Sequence, residues 1–110
     1  MEQVLLVVTN VLDMACAELI ARYLLQNKLA ACVNCPPGVK SLYRWQGAIE
    51  AASEVSLSIK TSAHRYPELQ AAITSLHPYQ MPEIIAFPVA DGWQPCLHWI
   101  AEETKKDMHV

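Results

Sequence analysis

Residues 39–61 read VKSLYRWQGAIEAASEVSLSIKT, and the fold turns on how this stretch divides. Val39 to Trp45 is extended in character, and Gln46-Gly47 suits a two-residue turn in which the glycine supplies a positive φ. Beyond the turn, Ile49, Ala51, Ser53, Val55, Leu57, Ile59 and Thr61 alternate with Glu50, Ala52, Glu54, Ser56, Ser58 and Lys60. Period-two alternation marks a strand with one face on a core. A turn at Gln46-Gly47 without a further bulge pairs Trp45 with Ala48 and Tyr43 with Glu50. Tyr43, Trp45, Glu50, Glu54 and Lys60 then share one face of the ribbon, and Leu42, Ile49, Val55, Leu57 and Ile59 the other. The apolar face is expected on the core, and the aromatic and charged face on another surface.

The length of the second strand carries a further expectation. Ile49 to Thr61 spans about 43 Å as one strand. A compact body of this chain length has a diameter of about 34 Å. The hairpin therefore overhangs its own domain unless the strand breaks at Ala51-Ala52. An overhanging ribbon has bare edges and faces, which a second copy of the chain would cover. Composition agrees: 53% of the 110 residues are apolar and 17% charged, against about 45–50% and 25% in ordinary domains. In a chain this small some of that apolar excess is expected at an interface.

Outward from the hairpin, the rest of the chain reads as one domain over residues 1–110. Gln3 to Val8 is an apolar run of strand length, expected to be buried on both faces. Asn10 or Asp13 offers an N-cap, and Asp13 to about Lys28 has helical period. Cys16, Ile20, Tyr23 and Leu24 fall on one side of that helix, and Glu18, Arg22 and Gln26 on the other. Ala30 to Cys35 is a second strand, interrupted by Pro36-Pro37-Gly38 at a bulge, bend or edge. Pro67 suits the first turn of a second helix, in which Tyr66, Leu69, Ile73 and Leu76 keep helical spacing and which His77-Pro78 stops. Pro82 to Val89 is a strand whose prolines deny it one full ladder. Pro95 to about Lys106 forms a short final helix. Two split strand–helix–strand units make an α+β, ferredoxin-like antiparallel sheet with helices on one face and an extended hairpin between its second and third strands.

Several functional classes fall away. Eight basic and eleven acidic residues leave a net charge of −3, which speaks against a nucleic-acid partner. The opening Met1–Val8 lacks a basic segment and a small-residue cleavage site. Its apolar run is too short for a signal peptide or a membrane span. The expected home is the cytoplasm, with the four cysteines reduced.

The chemistry-bearing residues are few. Cys32-Val33-Asn34-Cys35 is a C-x-x-C, but in an extended segment its thiols point to opposite faces, and small buried apolar residues are the simpler reading. His77 follows the second helix, close in sequence to Tyr79 and Glu83. It is either a low-grade metal ligand or a histidine that hydrogen-bonds the main chain at a helix end. His64, His98 and His109 read as surface residues. Glu50 and Glu54 stand about 13 Å apart along a strand, too far for an acid–base pair. Lys60 is free to bind an anion or to pair with Glu54. No nucleophile, base and oxyanion hole assemble, so no enzyme is expected.

Several blocks stand out together: Lys28-Leu29-Ala30-Ala31-Cys32-Val33-Asn34, then Ser41-Leu42-Tyr43-x-Trp45-x-Gly47-x-Ile49-Glu50 and Glu54-x-x-Leu57-x-Ile59-Lys60-Thr61. His77-Pro78-Tyr79-x-x-Pro82-Glu83-Ile84-Ile85, Pro88-Val89, Gly92 and Leu97-x-Trp99 complete the set. In this order they resemble the CutA family of divalent-cation tolerance proteins. The resemblance implies a homotrimer related in architecture to PII signalling proteins, with long hairpins pairing across subunits. It also implies a link to tolerance of copper and other divalent cations. Thr9 and Leu76 stand where some members are proposed to carry a metal-binding Cys and His, so His77 alone remains of that set. The position after Gly47, often Lys in the family, is Ala48, and the position before Leu97, often Tyr, is Cys96.

Three functions follow as expectations. The first is a trimer that binds a divalent cation such as copper weakly, near His77 and the carboxylates Glu50, Glu54 or Glu83. The second is a PII-like regulatory module. Its inter-subunit cleft, at Tyr43, Trp45, Lys60, His77 and Tyr79, would take a small anion or a protein partner. The third is a purely structural trimer.

Overall fold

A computed structural model describes residues 2–106, so His109 lies outside the described residues. The chain runs β1 (Val4–Val11), α1 (Met14–Gln26), β2 (Cys32–Asn34), β3 (Val39–Trp45), β4 (Ala48–Ser62), α2 (Tyr66–Leu76), β5 (Ile85–Pro88) and α3 (Gln94–Glu103). The sheet order is β2-β4-β1-β5, with β3 also paired to β4, and every pairing is antiparallel. This is the ferredoxin-like arrangement, with β2 and β3 together as one interrupted strand.

The hairpin forms in the expected register, Trp45 against Ala48 and Tyr43 against Glu50. Gln46 at φ 50° and Gly47 at φ 82° close it, the two left-handed residues of a type I′ turn. β4 does not break at Ala51-Ala52. Its second half, Val55–Ser62, pairs with β1, whereas Ala48–Glu54 pairs only with β3. The molecule measures 48 × 31 × 23 Å. Pro36-Pro37-Gly38 makes the break between β2 and β3: Ser56 N–H donates to the Pro36 carbonyl at 3.0 Å, and Gly38 takes φ 73° to restart the strand.

One face of the sheet carries α1 and α2. Val7, Val11, Leu57 and Ile59 from the strands meet Ile20, Leu24, Leu69 and Ile73 from the helices, all fully buried. α1 starts where Asp13 Oδ1 accepts from Cys16 N–H at 2.9 Å, an N-cap contributing about 1 kcal/mol. Its end is clamped by buried Arg65, which donates to the Asn27 and Lys28 carbonyls at 3.1 and 3.3 Å. α3 packs on the other face, at its lower end, where Ile100 is buried and Thr104 shares a 2.6 Å hydrogen bond with Ser62.

Several sequence expectations need correction, among them the strand expected over Pro82 to Val89, which is confined to Ile85–Pro88. β1 is buried on the α1–α2 face, but its opposite face is only half-covered at Leu6, Val8 and Asn10, because no layer lies over it there. The strand also runs on to Val11, through polar Thr9 and Asn10. On α1, Tyr23 is exposed and Ala17 and Ala21 take the buried positions beside Ile20 and Leu24, since the helix turns its small residues towards the sheet. The apolar face of the hairpin covers the core from Val55 to Thr61 but not at its tip. Leu42 is 68% and Ile49 76% exposed, because the ribbon has left the domain behind.

Thr9 sits fully buried on the core face, and its hydroxyl has no hydrogen-bond partner among the described residues. A buried unpaired hydroxyl costs about 1–3 kcal/mol. Thr9→Val keeps the shape and suits a strand, so it is expected to raise unfolding stability by about 1 kcal/mol in urea titration. A loss of stability would show that the hydroxyl is satisfied in solution.

Candidate functional site

Three elements build a groove on the half-covered face. Glu54 marks the point where β4 passes beyond β1, and Asn10 lies near the end of β1 on the same side. From the hairpin, Lys40, Tyr43 and Trp45 form one wall. The segment between α2 and β5 folds over to supply Tyr79, Met81 and Glu83. The space between them is about 680 Å³, within the range of small-molecule clefts.

His77 sets the third wall in place. The residue before Pro78 leaves the helix with ψ 133° while its N–H still donates to the Ile73 carbonyl at 2.8 Å. His77 is 7% exposed, with its ring turned inward onto the main chain. Nδ1 accepts from Tyr79 N–H at 3.2 Å, so the proton sits on Nε2, which donates to the Asn10 carbonyl at 2.8 Å. The Tyr79 ring stacks obliquely on it, centroids 4.7 Å apart. His77 is thus the main-chain-bonded histidine at a helix end, tying α2 to β1 and aiming Tyr79.

Tyr79 reaches back across the groove to Glu54. Its hydroxyl donates to Glu54 Oε2 at 2.7 Å. Glu54 is only 7% exposed. Burial, followed by the hydrogen bond to Glu54 and that carboxylate's charge, pushes the Tyr79 phenol well above its usual range. Glu83 is exposed and accepts from Asn10 Nδ2 at 3.2 Å.

Five candidate residues therefore share one groove: Tyr43, Trp45, Glu54, Tyr79 and Glu83. His77 sits behind it. Glu50 lies across from Tyr43 on the exposed hairpin but not among the lining residues. Lys60 does not pair with Glu54. Six residues of strand separate them, about 20 Å, and Lys60 Nζ instead donates to Asn34 Oδ1 at 2.7 Å with Cys32 Sγ 3.9 Å away. Sequence reasoning missed Lys40 and Met81 as lining residues, and it read Asn10 as a possible helix cap. Alternation gave no signal for Lys40, which stands three residues before Tyr43 and opposite Ser53, on the other face of the ribbon.

Cys32 and Cys35 face opposite sides of the sheet, as their spacing implies; Cys32 stands beside Lys60, and Cys35 packs against the core. Burial, with Glu18 second, pushes the Cys35 thiol up, and burial with Asp13 does the same to Cys16. Neither is an activated thiolate.

The positions aligned with a metal site do not fit copper. Thr9 offers a hydroxyl sealed in the core, Leu76 has no donor atom, and both His77 nitrogens are engaged by main chain. Copper prefers imidazole and thiolate with free lone pairs. Among the described residues, no group of three or more His, Cys, Asp or Glu stands close enough to hold an ion together. No described helix is long and apolar enough to cross a membrane.

Comparison with known proteins fits this geometry. Residues 5–103 match the family model described as CutA1 divalent ion tolerance protein. The chain is 43% identical to the divalent-cation tolerance protein CutA of Thermus thermophilus, over 94% of this chain and 99% of that one. Their structures superpose with a TM-score of 0.89. The structure described as the periplasmic divalent cation tolerance protein CutA of Archaeoglobus fulgidus is 36% identical, with a TM-score of 0.90 over 93% of this chain and 99% of that one. The mouse protein CutA is 45% identical over 81% of this chain, which spans about half the length of that relative (50%).

Proposed function

This chain belongs to the CutA1 divalent ion tolerance family, and from that premise we propose that it serves tolerance of copper and other divalent cations as a cytoplasmic homotrimer. The observation that carries the assembly is the hairpin, which projects beyond its own domain with Leu42 and Ile49 bare at its tip. Trimerisation covers that ribbon with two further copies. The cytoplasmic assignment is supported by four free cysteines. The reading is non-enzymatic, in keeping with an imidazole whose two nitrogens are already spent on main chain.

Because the aligned positions suit copper poorly, tolerance is not expected to depend on tight sequestration at His77. Weak cation binding would fall to the exposed Glu83 and its neighbours in the groove. The test is expression in a copper-sensitive strain that lacks its own family member. Growth on copper should recover with the wild type and equally with Leu76→Met, which adds a thioether without disturbing the fold. No recovery by well-expressed wild-type protein would overturn the tolerance role.

A second reading is favoured by the groove itself: a PII-like module that binds a small ligand between Tyr43, Trp45 and Tyr79. Aromatic walls with a few convergent polar groups are what a small-molecule site requires.

A further inference from the structure

We propose that the groove is the seat of a second copy of this chain: Arg44 of one copy enters the groove of the next and pairs with its Glu54. This rests on the trimeric reading and names the side chain that the neighbour contributes. Where it holds, the Glu54 end of the groove is closed to small ligands.

Glu54 lacks a cation. It is more than nine-tenths buried. Among the described residues its one side-chain partner is the neutral Tyr79 hydroxyl, on Oε2, and no cation stands within ion-pair distance. A buried carboxylate is stable only when paired and hydrogen-bonded. The cations of its own strand and hairpin do not serve. Lys60 is about 20 Å up the strand and bonded to Asn34. Lys40 stands beside Glu54 at the root of the ribbon, but opposite Ser53 and therefore on the other face.

Arg44 lacks an anion. It is exposed, and no described residue pairs with its guanidinium. It lies opposite Ile49 and on the ribbon face that carries Leu42. When a neighbour covers those two bare apolar side chains, the guanidinium between them leaves water with them and needs a carboxylate. Its planar fork can donate two parallel hydrogen bonds to one. Within one chain the two groups cannot meet. Arg44 is five register positions beyond Glu54 towards the tip, about 17 Å, and on the opposite face. A projecting tip and a receiving groove at different places on one surface make a head-to-tail contact, which closes as a ring. In a ring of three, every tip finds a groove and every Glu54 a cation.

The experiment uses the full chain in its native assembly. Subunit exchange between isotopically labelled and unlabelled assemblies is followed by native mass spectrometry. Arg44→Gln and Glu54→Gln are each expected to speed exchange about tenfold or more, with the fold checked by circular dichroism. The double variant should exchange no faster than the faster single variant, because both remove the same pair. Arg44→Lys, which keeps the charge, should recover part of the loss. If Glu54→Gln does not fold, carbodiimide cross-linking of Arg44→Lys decides the matter. It should join position 44 to Glu54 of another copy, shown by mixed labelled and unlabelled peptides. Exchange unchanged in Arg44→Gln, effects of the two single variants that simply add, or no such cross-link, in an assembly whose mass is still three chains, overturns the pair and leaves the trimer standing. A wild-type mass of 12.3 kDa overturns both.

Discussion

Leu42→Asp combined with Ile49→Asp is expected to bring the mass in light scattering down from about 37 kDa, three times the chain mass of 12.3 kDa, to 12.3 kDa. Both side chains are exposed at the tip of the β3–β4 ribbon, so the substitutions should not disturb the folded chain. In the proposed trimer each is taken out of water against a neighbour. Burial of one such side chain contributes about 1.5–3 kcal/mol, and three-fold repetition of two of them makes this on the order of 10 kcal/mol across the assembly. Replacing apolar surface by carboxylates removes that gain and adds the cost of desolvating charge. Circular dichroism of the monomer should remain that of a folded α+β chain. An unchanged trimer mass would place the subunit contacts elsewhere, and wild type at 12.3 kDa under micromolar conditions would sink the trimer.

That prediction was available in outline from residues 39–61 alone. The turn at Gln46-Gly47, the register it fixes and the excess length follow from backbone physics, and all three are in the structure. Other boundaries were obscured for identifiable reasons. β1 continues through Thr9 and Asn10, whose polarity mimics a strand end; Asn10 is polar because it holds Glu83, whereas Thr9 is buried with its hydroxyl unmet. β5 is shorter than its apolar run, covering only Ile85–Pro88, because Pro82 cannot donate to a ladder.

The site was legible by face and illegible by distance. Alternation along β4 correctly puts Glu50, Glu54 and Lys60 on one side of the strand, but parity says nothing of separation, and Lys60 ends far from Glu54 beside Asn34. The link between Tyr79 and Glu54 spans 25 positions and exists only because α2 ends at His77, whose ring is then fixed by main chain. No local pattern encodes such a contact. Its signature in the sequence is indirect: a His-Pro-Tyr run at a helix stop, and a glutamate on a strand whose neighbours in register are apolar or small.

Tyr79→Phe therefore tests the site where it is most tightly built. Removing the hydroxyl leaves Glu54 buried with no donor from its own chain, and hydrogen bonds to charged groups contribute about 1.5–3 kcal/mol, so a loss of about 2 kcal/mol at pH 7 is expected in urea unfolding. Adding Glu54→Gln to Tyr79→Phe should recover part of that loss, because the stranded charge is then gone. A double-mutant cycle would show coupling of about 1–2 kcal/mol. The pH dependence has a definite sign. The folded-state phenol titrates above the ordinary value of 10.0, chiefly through burial and then through Glu54. From about pH 10 upward the unfolded chain loses a proton that the folded chain retains, so stability falls as pH rises. The contribution of Tyr79 is complete below about pH 10 and is lost above it. The stability gap between wild type and Tyr79→Phe should accordingly be constant from about pH 7 to 9 and narrow through about pH 10 to 11. A gap below about 0.5 kcal/mol at pH 7, or one that widens in alkali, would mean that Glu54 is held by something other than Tyr79.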